Sequence, residues 1–152
     1  MTPRDMFNQY LVPSRNDCEA DPSAVHRAVS ALCHIDALAE EVWQALAKPT
    51  RQPWQFREAL RRRCVELGYA YDIHDIHKHG MLYKHKPVLP NGRRPTVAYI
   101  GGAFSAGFSP GFQIGTPEVI ITLHDGTTVK ALDVVRTSVQ WWDTELRALG
   151  WP

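Results

Sequence analysis

Paired cysteines are missing from this chain: Cys18, Cys33 and Cys64 stand far apart and none falls in a C-x-x-C spacing. An odd, dispersed set excludes a disulfide framework and a cysteine zinc site. The three are read as reduced thiols, with Cys33 and Cys64 packed in helices. Long apolar runs are missing too, since nothing approaches the roughly 18 to 20 residues that a bilayer crossing requires. The opening Met1-Thr2-Pro3-Arg4-Asp5 has no apolar signal core. No membrane association is expected, and the cytoplasm is the expected location. There is no internal repeat, no G-K-[ST] phosphate loop and no H-E-x-x-H metalloprotease pattern.

What is present is ordinary in bulk. The 152 residues are 44% hydrophobic and 22% charged, the balance of a globular chain. A chain of this length folds as one domain and buries roughly 70% of the surface its unfolded form exposes. Residues 1–152 are therefore taken as a single domain. The net charge of +1 hides an uneven distribution: residues 51–94 carry +6, against −3 before them and −2 after. A basic central block of this kind suits phosphate or an acidic partner.

Periodicity organises the chain. Residues 1–20, with Pro3 and Pro13 among polar residues and a few apolar ones, read as an irregular N-terminal arm. Asp21-Pro22 opens a helix over about 22–48, in which Val25, Val29, Leu32, Ile35, Leu38, Val42 and Leu46 form one apolar stripe. A second helix is expected over about 53–67, stopped by Gly68, and a third over about 69–83. A proline- and glycine-rich loop follows. Strands are expected at about 96–101, 118–124 and 127–132, the last two joined at Asp125-Gly126 as a hairpin. A closing helix spans about 134–149 with Asp133 as its cap. Helices first and strands later define an α+β fold with a small antiparallel sheet. Between the first two strands, a glycine-rich loop carries Phe104, Phe108 and Phe112, read as anchors to the core.

The densest titratable cluster is Asp72-Ile73-His74-Asp75-Ile76-His77-Lys78-His79. At 100° per residue, Asp72, Asp75 and His79 lie on one flank of the Ile73/Ile76 stripe, and His74 and His77 lie on the other. Asp75 and His79 are one turn apart, so the carboxylate can orient the imidazole. That makes Asp75, Lys78 and His79 the candidate catalytic set: orienter, phosphate stabiliser and acid/base. No cofactor is expected. A divalent metal is the weaker alternative, with His34, Asp75 and His79 as the nearest to a ligand set and Asp36 beside His34.

The string D-I-x-D-x-x-K-H at residues 72–79, followed by Met81 and Leu82, resembles a motif of poorly characterised small bacterial and phage proteins. In those proteins a long helix precedes the motif, and a hairpin and an aromatic closing helix follow it. The resemblance covers about residues 22–149 and implies architecture without an activity. More remotely, Arg27 and His34, with six residues between them, resemble the arginine-to-histidine spacing of HEPN-type helical ribonucleases and RNA-binding proteins. That similarity implies RNA as a ligand, although no arginine stands at the family's spacing before His79.

The first-ranked reading is a non-catalytic binding protein that engages nucleic acid or a protein partner. Its contacts would be Arg57, Arg61, Arg62, Lys84, Lys86, Arg93 and Arg94 of the basic block. The alternatives are a nuclease using Asp75, Lys78 and His79, HEPN-like or metal-assisted, and a structural or assembly subunit without catalysis.

Overall fold

The structure, a computed structural model, describes residues 1–80, 89–90, 93–100 and 115–152. The expected α+β architecture is present: helices lead, a three-stranded antiparallel sheet follows, and a long helix closes the chain.

The first twenty residues depart from expectation, being helical rather than irregular. α1 (Pro3–Met6) runs through a π-helical turn (Phe7–Leu11) into α2 (Val12–Ala20). Thr2 caps the start: its hydroxyl accepts from the Asp5 amide at 3.1 Å, and its own amide donates to the Asp5 carboxylate at 2.8 Å. Both prolines that suggested an arm sit where a helix tolerates them. Pro3 occupies the first turn. Pro13 directly follows the widened π turn, which relieves the clash between a proline ring and the carbonyl one turn earlier. The apolar residues of this stretch, Met6, Phe7, Leu11 and Cys18, are buried in the main core. Arg4 fastens its start to the far end of the chain, donating to Asp143 at 2.6 Å and to the Trp151 carbonyl at 2.9 Å.

Asp21 accepts from the Ser23 hydroxyl at 2.6 Å in the turn before α3 (Val25–Ala45). The predicted stripe is the buried face of α3, with Leu32, Ile35, Leu38 and Val42 fully enclosed. Next come α4 (Pro53–Arg63) and α5 (Val65–His79), and here the expected boundary moves. The chain breaks at Cys64, which is extended at φ −146° and ψ 107°. Gly68, expected to stop a helix, instead lies buried inside α5. Charge agrees with the break: Arg61, Arg62 and Arg63 end α4 and Glu66 begins α5, each complementing a helix end. Gly80, left-handed at φ 74°, caps α5 and donates to the Ile76 carbonyl at 2.8 Å. α5 packs along α3 through Leu67, Ala70, Ile73 and Ile76.

The sheet has the order β1 (Thr96–Ile100), β2 (Thr116–Thr122), β3 (Thr128–Lys130), with Val97 opposite Val119 and Ile121 opposite Val129. Asp125 and the left-handed Gly126 form the hairpin turn, where Asp125 accepts from the Thr127 amide at 2.9 Å. Val119 and Ile121 bury one face, and the Val119 amide donates to the Pro22 carbonyl, tying the sheet to the start of α3. α6 (Ala131–Ala148) follows β3 without a loop, which places Asp133 in its first turn rather than at the cap. Trp142 is fully buried, with Trp141 edge-on against it at 5.1 Å. The glycine-rich stretch with Phe104, Phe108 and Phe112 lies outside the described residues. Among the described residues, no helix is long and apolar enough to cross a membrane.

If residues 1–20 are part of the core, Leu11→Ala costs about 2–5 kcal/mol in urea unfolding. A cost of a few tenths would return the segment to the status of an arm.

Candidate functional site

α5 sorts its polar residues as helical geometry predicts. His74 and His77 face α3 across a cleft, whereas Asp75, Lys78 and His79 are not among the described residues lining it. Lys78 and His79 are exposed at the C-terminal end of α5, and Asp75 is half-buried. Asp72 is buried, and its carboxylate accepts from the Leu89 amide at 3.2 Å, holding the chain beyond α5 against the helix.

The basic block is divided. Arg57 pairs with Asp36 and with Glu40, and Arg61 pairs with Glu58 at 2.8 Å. Arg63 makes a bidentate pair with Glu145 at 2.6 Å for each bond, and its guanidinium lies 5.2 Å from the Trp141 ring centre. These three arginines join helices or brace their own. Arg62, 3.8 Å from Glu58 and 76% exposed, together with the exposed Arg93 and Arg94, faces solvent. Lys84 and Lys86 lie outside the described residues.

The most constrained polar group is Asp36, only 2% exposed within the apolar stripe of α3. A bare carboxylate there would carry a desolvation penalty of several kcal/mol. Two neighbouring helices compensate it. From α4, Arg57 Nε stands 2.5 Å from Oδ1, a close ion pair whose angle is off-axis for a hydrogen bond. From α5, His74 Nδ1 lies 2.5 Å from Oδ2. A carboxylate on Nδ1 fixes the imidazole and leaves Nε2 as the ring's other nitrogen, on a residue that lines the cleft.

His34, two residues before Asp36, has its Nδ1 hydrogen-bonded to the Ser14 hydroxyl of α2 at 2.7 Å, with the Tyr10 ring 5.9 Å away. Burial first, and the charge on His74 second, hold His34 below the ordinary imidazole value. The two rings thus resist being charged together. Cys33 also lines the cleft, and burial followed by the Asp36 charge pushes its thiol up to about 11. A thiol with that value is no nucleophile near neutral pH.

The cleft encloses about 780 Å³ between α3, α5 and the residues before β1. Val25, Val29, Ile73, Ile76 and Pro95 supply apolar lining, and His26, His34, His74, His77 and Arg94 polar lining. This is a ligand-sized hollow with a few convergent polar groups. A carboxylate–imidazole contact that sequence reasoning did not name joins Asp36 and His74 on separate helices. The available signal was an aspartate inside the apolar stripe of α3. Among the described residues, no group of three or more histidines, cysteines, aspartates or glutamates is arranged to hold a metal ion. Arg27 and His34 both turn toward α2, Arg27 donating to the Asp17 carbonyl at 3.2 Å.

No protein-family model, curated protein or solved structure matches this chain.

Because the folded state holds His34 below 6.5, its ordinary value, the unfolded chain binds more protons as pH falls past that value. Stability therefore declines on acidification until the folded ring is protonated as well. The melting temperature of His34→Asn should fall less than that of the unchanged chain between about pH 7.5 and 5. Equal slopes would remove His34 as the cause.

Proposed function

We propose that the cleft between α3 and α5 is an acid–base catalytic site, with His74 as the proton-transferring group and Asp36 as its positioning residue. The observation carrying this reading is the buried Asp36 carboxylate bonded to His74 Nδ1 in a ligand-sized hollow. A carboxylate that only braced helices would need no imidazole opening on a cleft.

The supported reaction class is hydrolysis. His74 accepts a proton from water as the water oxygen bonds to the electrophilic centre of the substrate. The bond to the leaving oxygen breaks, and the imidazolium returns the proton to that oxygen, so the site ends as it began. Asp36 holds the ring throughout and opposes the transient positive charge. His34, whose charged form is opposed first by burial and second by charge on His74, disfavours a second stored proton.

This order places catalysis ahead of simple binding, because Arg57, Arg61 and Arg63 are committed to ion pairs. Engagement of nucleic acid is the second reading, favoured by the exposure of Arg62, Arg93 and Arg94. Lys84 and Lys86, the other cations named for that contact, lie outside the described residues.

Hydrolysis of p-nitrophenyl acetate and p-nitrophenyl phosphate tests the first reading. His74→Gln should lower the rate by about 10²–10⁴-fold with the fold intact by circular dichroism. Asp36→Asn should lower it too, and also lower the melting temperature, since it leaves Arg57 without its buried partner. His79→Ala should leave the rate within about twofold if it only ends α5. A folded His74→Gln protein that keeps the full rate, or no hydrolysis of either ester by the unchanged chain, defeats the proposal.

A further inference from the structure

We infer that Arg94, with His77 and His26 beside it, forms an anion-recognising rim on this cleft, and that the substrate is a phosphate ester of about mononucleotide size. The inference rests on the catalytic reading of the cleft and adds what the cleft accepts.

Three observations carry it. First, the lining is one-signed: none of its described residues is acidic, and Asp36 sits behind His74 with Arg57 and His74 as partners. In a chain with 16 acidic and 17 basic residues, a cleft of this size with no carboxylate among its described lining residues favours anions over cations. Second, Arg94 is exposed at the edge, and no described carboxylate pairs with it, unlike Arg57, Arg61 and Arg63. A planar guanidinium in that position can take two oxygens of one phosphate. Third, the cleft is mixed in chemistry. Val25, Val29, Ile76 and Pro95 offer apolar contact to a ring system alongside the nitrogen-bearing side chains. A volume of about 780 Å³ holds a ligand of drug or nucleotide size rather than a bare ion.

The placement suits the chemistry. Arg94 and the exposed His26 and His77 would hold the non-bridging oxygens at the rim, leaving the ester bond near His74. Water attacks phosphorus, the bond from phosphorus to the alcohol oxygen breaks, and the proton taken by His74 passes to that oxygen. The products are inorganic phosphate and the alcohol. No oxidant, reductant or further reactant enters.

Calorimetric titration of the full chain with adenosine monophosphate, adenosine and a short RNA strand carrying a terminal phosphate tests this. Adenosine monophosphate should bind about tenfold or more tighter than adenosine. Arg94→Ala should erase that difference while leaving adenosine affinity unchanged, and His74→Gln should keep the binding but lose the hydrolysis. Tighter binding of the strand than of the nucleotide also supports the rim and assigns the phosphate to a strand end. Equal affinities for nucleotide and nucleoside, or an Arg94→Ala protein indistinguishable from the unchanged chain, overturn the inference. If that result accompanies a His74-dependent hydrolysis of p-nitrophenyl acetate, the catalytic reading stands and only the phosphate assignment falls. If the rim discriminates but no ester is hydrolysed, catalysis fails and the inference built on it goes too, leaving only an anion-binding cleft.

Discussion

A carboxylate buried in an apolar helix face is the constraint around which the helical half of this protein is arranged. Asp36 can stay charged only if opposite charge and donors reach it, because water does not. Arg57 comes from α4 and His74 from α5, so one residue of α3 fixes the positions of both neighbouring helices. The same group influences its other neighbours. It helps raise the Cys33 thiol, and behind burial it is the next contributor to raising the Tyr71 hydroxyl. One carboxylate thus makes this region polar, although it is itself enclosed along with Leu32, Ile35, Leu38 and Ile76 in the helical core.

The same logic explains why part of the basic stretch is drawn into contacts between and within helices. Arg63 crosses from the end of α4 to Glu145 on α6, Arg57 crosses to α3, and Arg4 crosses from the first helix to Asp143 and Trp151. These cations link helices. Each joins elements distant in sequence, so these pairs hold the helices in register. The Arg57 contact differs because its partner is enclosed. Local charge counts cannot separate the two uses, since the acidic partners are distant in sequence.

That distance also sets what was legible in the letters. α3 could be read because its stripe is a local property, and the hairpin because Asp125-Gly126 requires a particular turn. The 100° step placed His74 and His77 on one side of α5 and Asp75 and His79 on the other, and the cleft lies on the His74 side. Residues 1–20 were misjudged because proline was weighed as a breaker without its position. Pro3 is in a first turn and Pro13 follows a π turn, a feature with no simple sequence signature. Gly68 was misjudged for a related reason: glycine ends helices, but it also serves where helices pack closely, and only burial separates these uses. The Asp36–His74 contact spans 38 positions. An aspartate among Ile35, Leu38 and Ala39 could have been flagged as needing a partner, but nothing local says which histidine of the seven would supply it.

The arrangement also narrows the chemistry that the proposed catalytic reading of the cleft can use. Cys33 sits among the lining residues beside His34 in sequence, an apparent setting for thiol chemistry, yet its environment holds it protonated. His34 is turned to Ser14 and kept from charging, so it is not a ready partner for a thiolate. What remains is an imidazole whose ring is fixed from behind by an enclosed carboxylate. Such a group is suited to moving a proton to and from another molecule. On the catalytic reading proposed for the cleft, the attacking atom is supplied by water, and the reaction is decided by which ester is held within reach of His74.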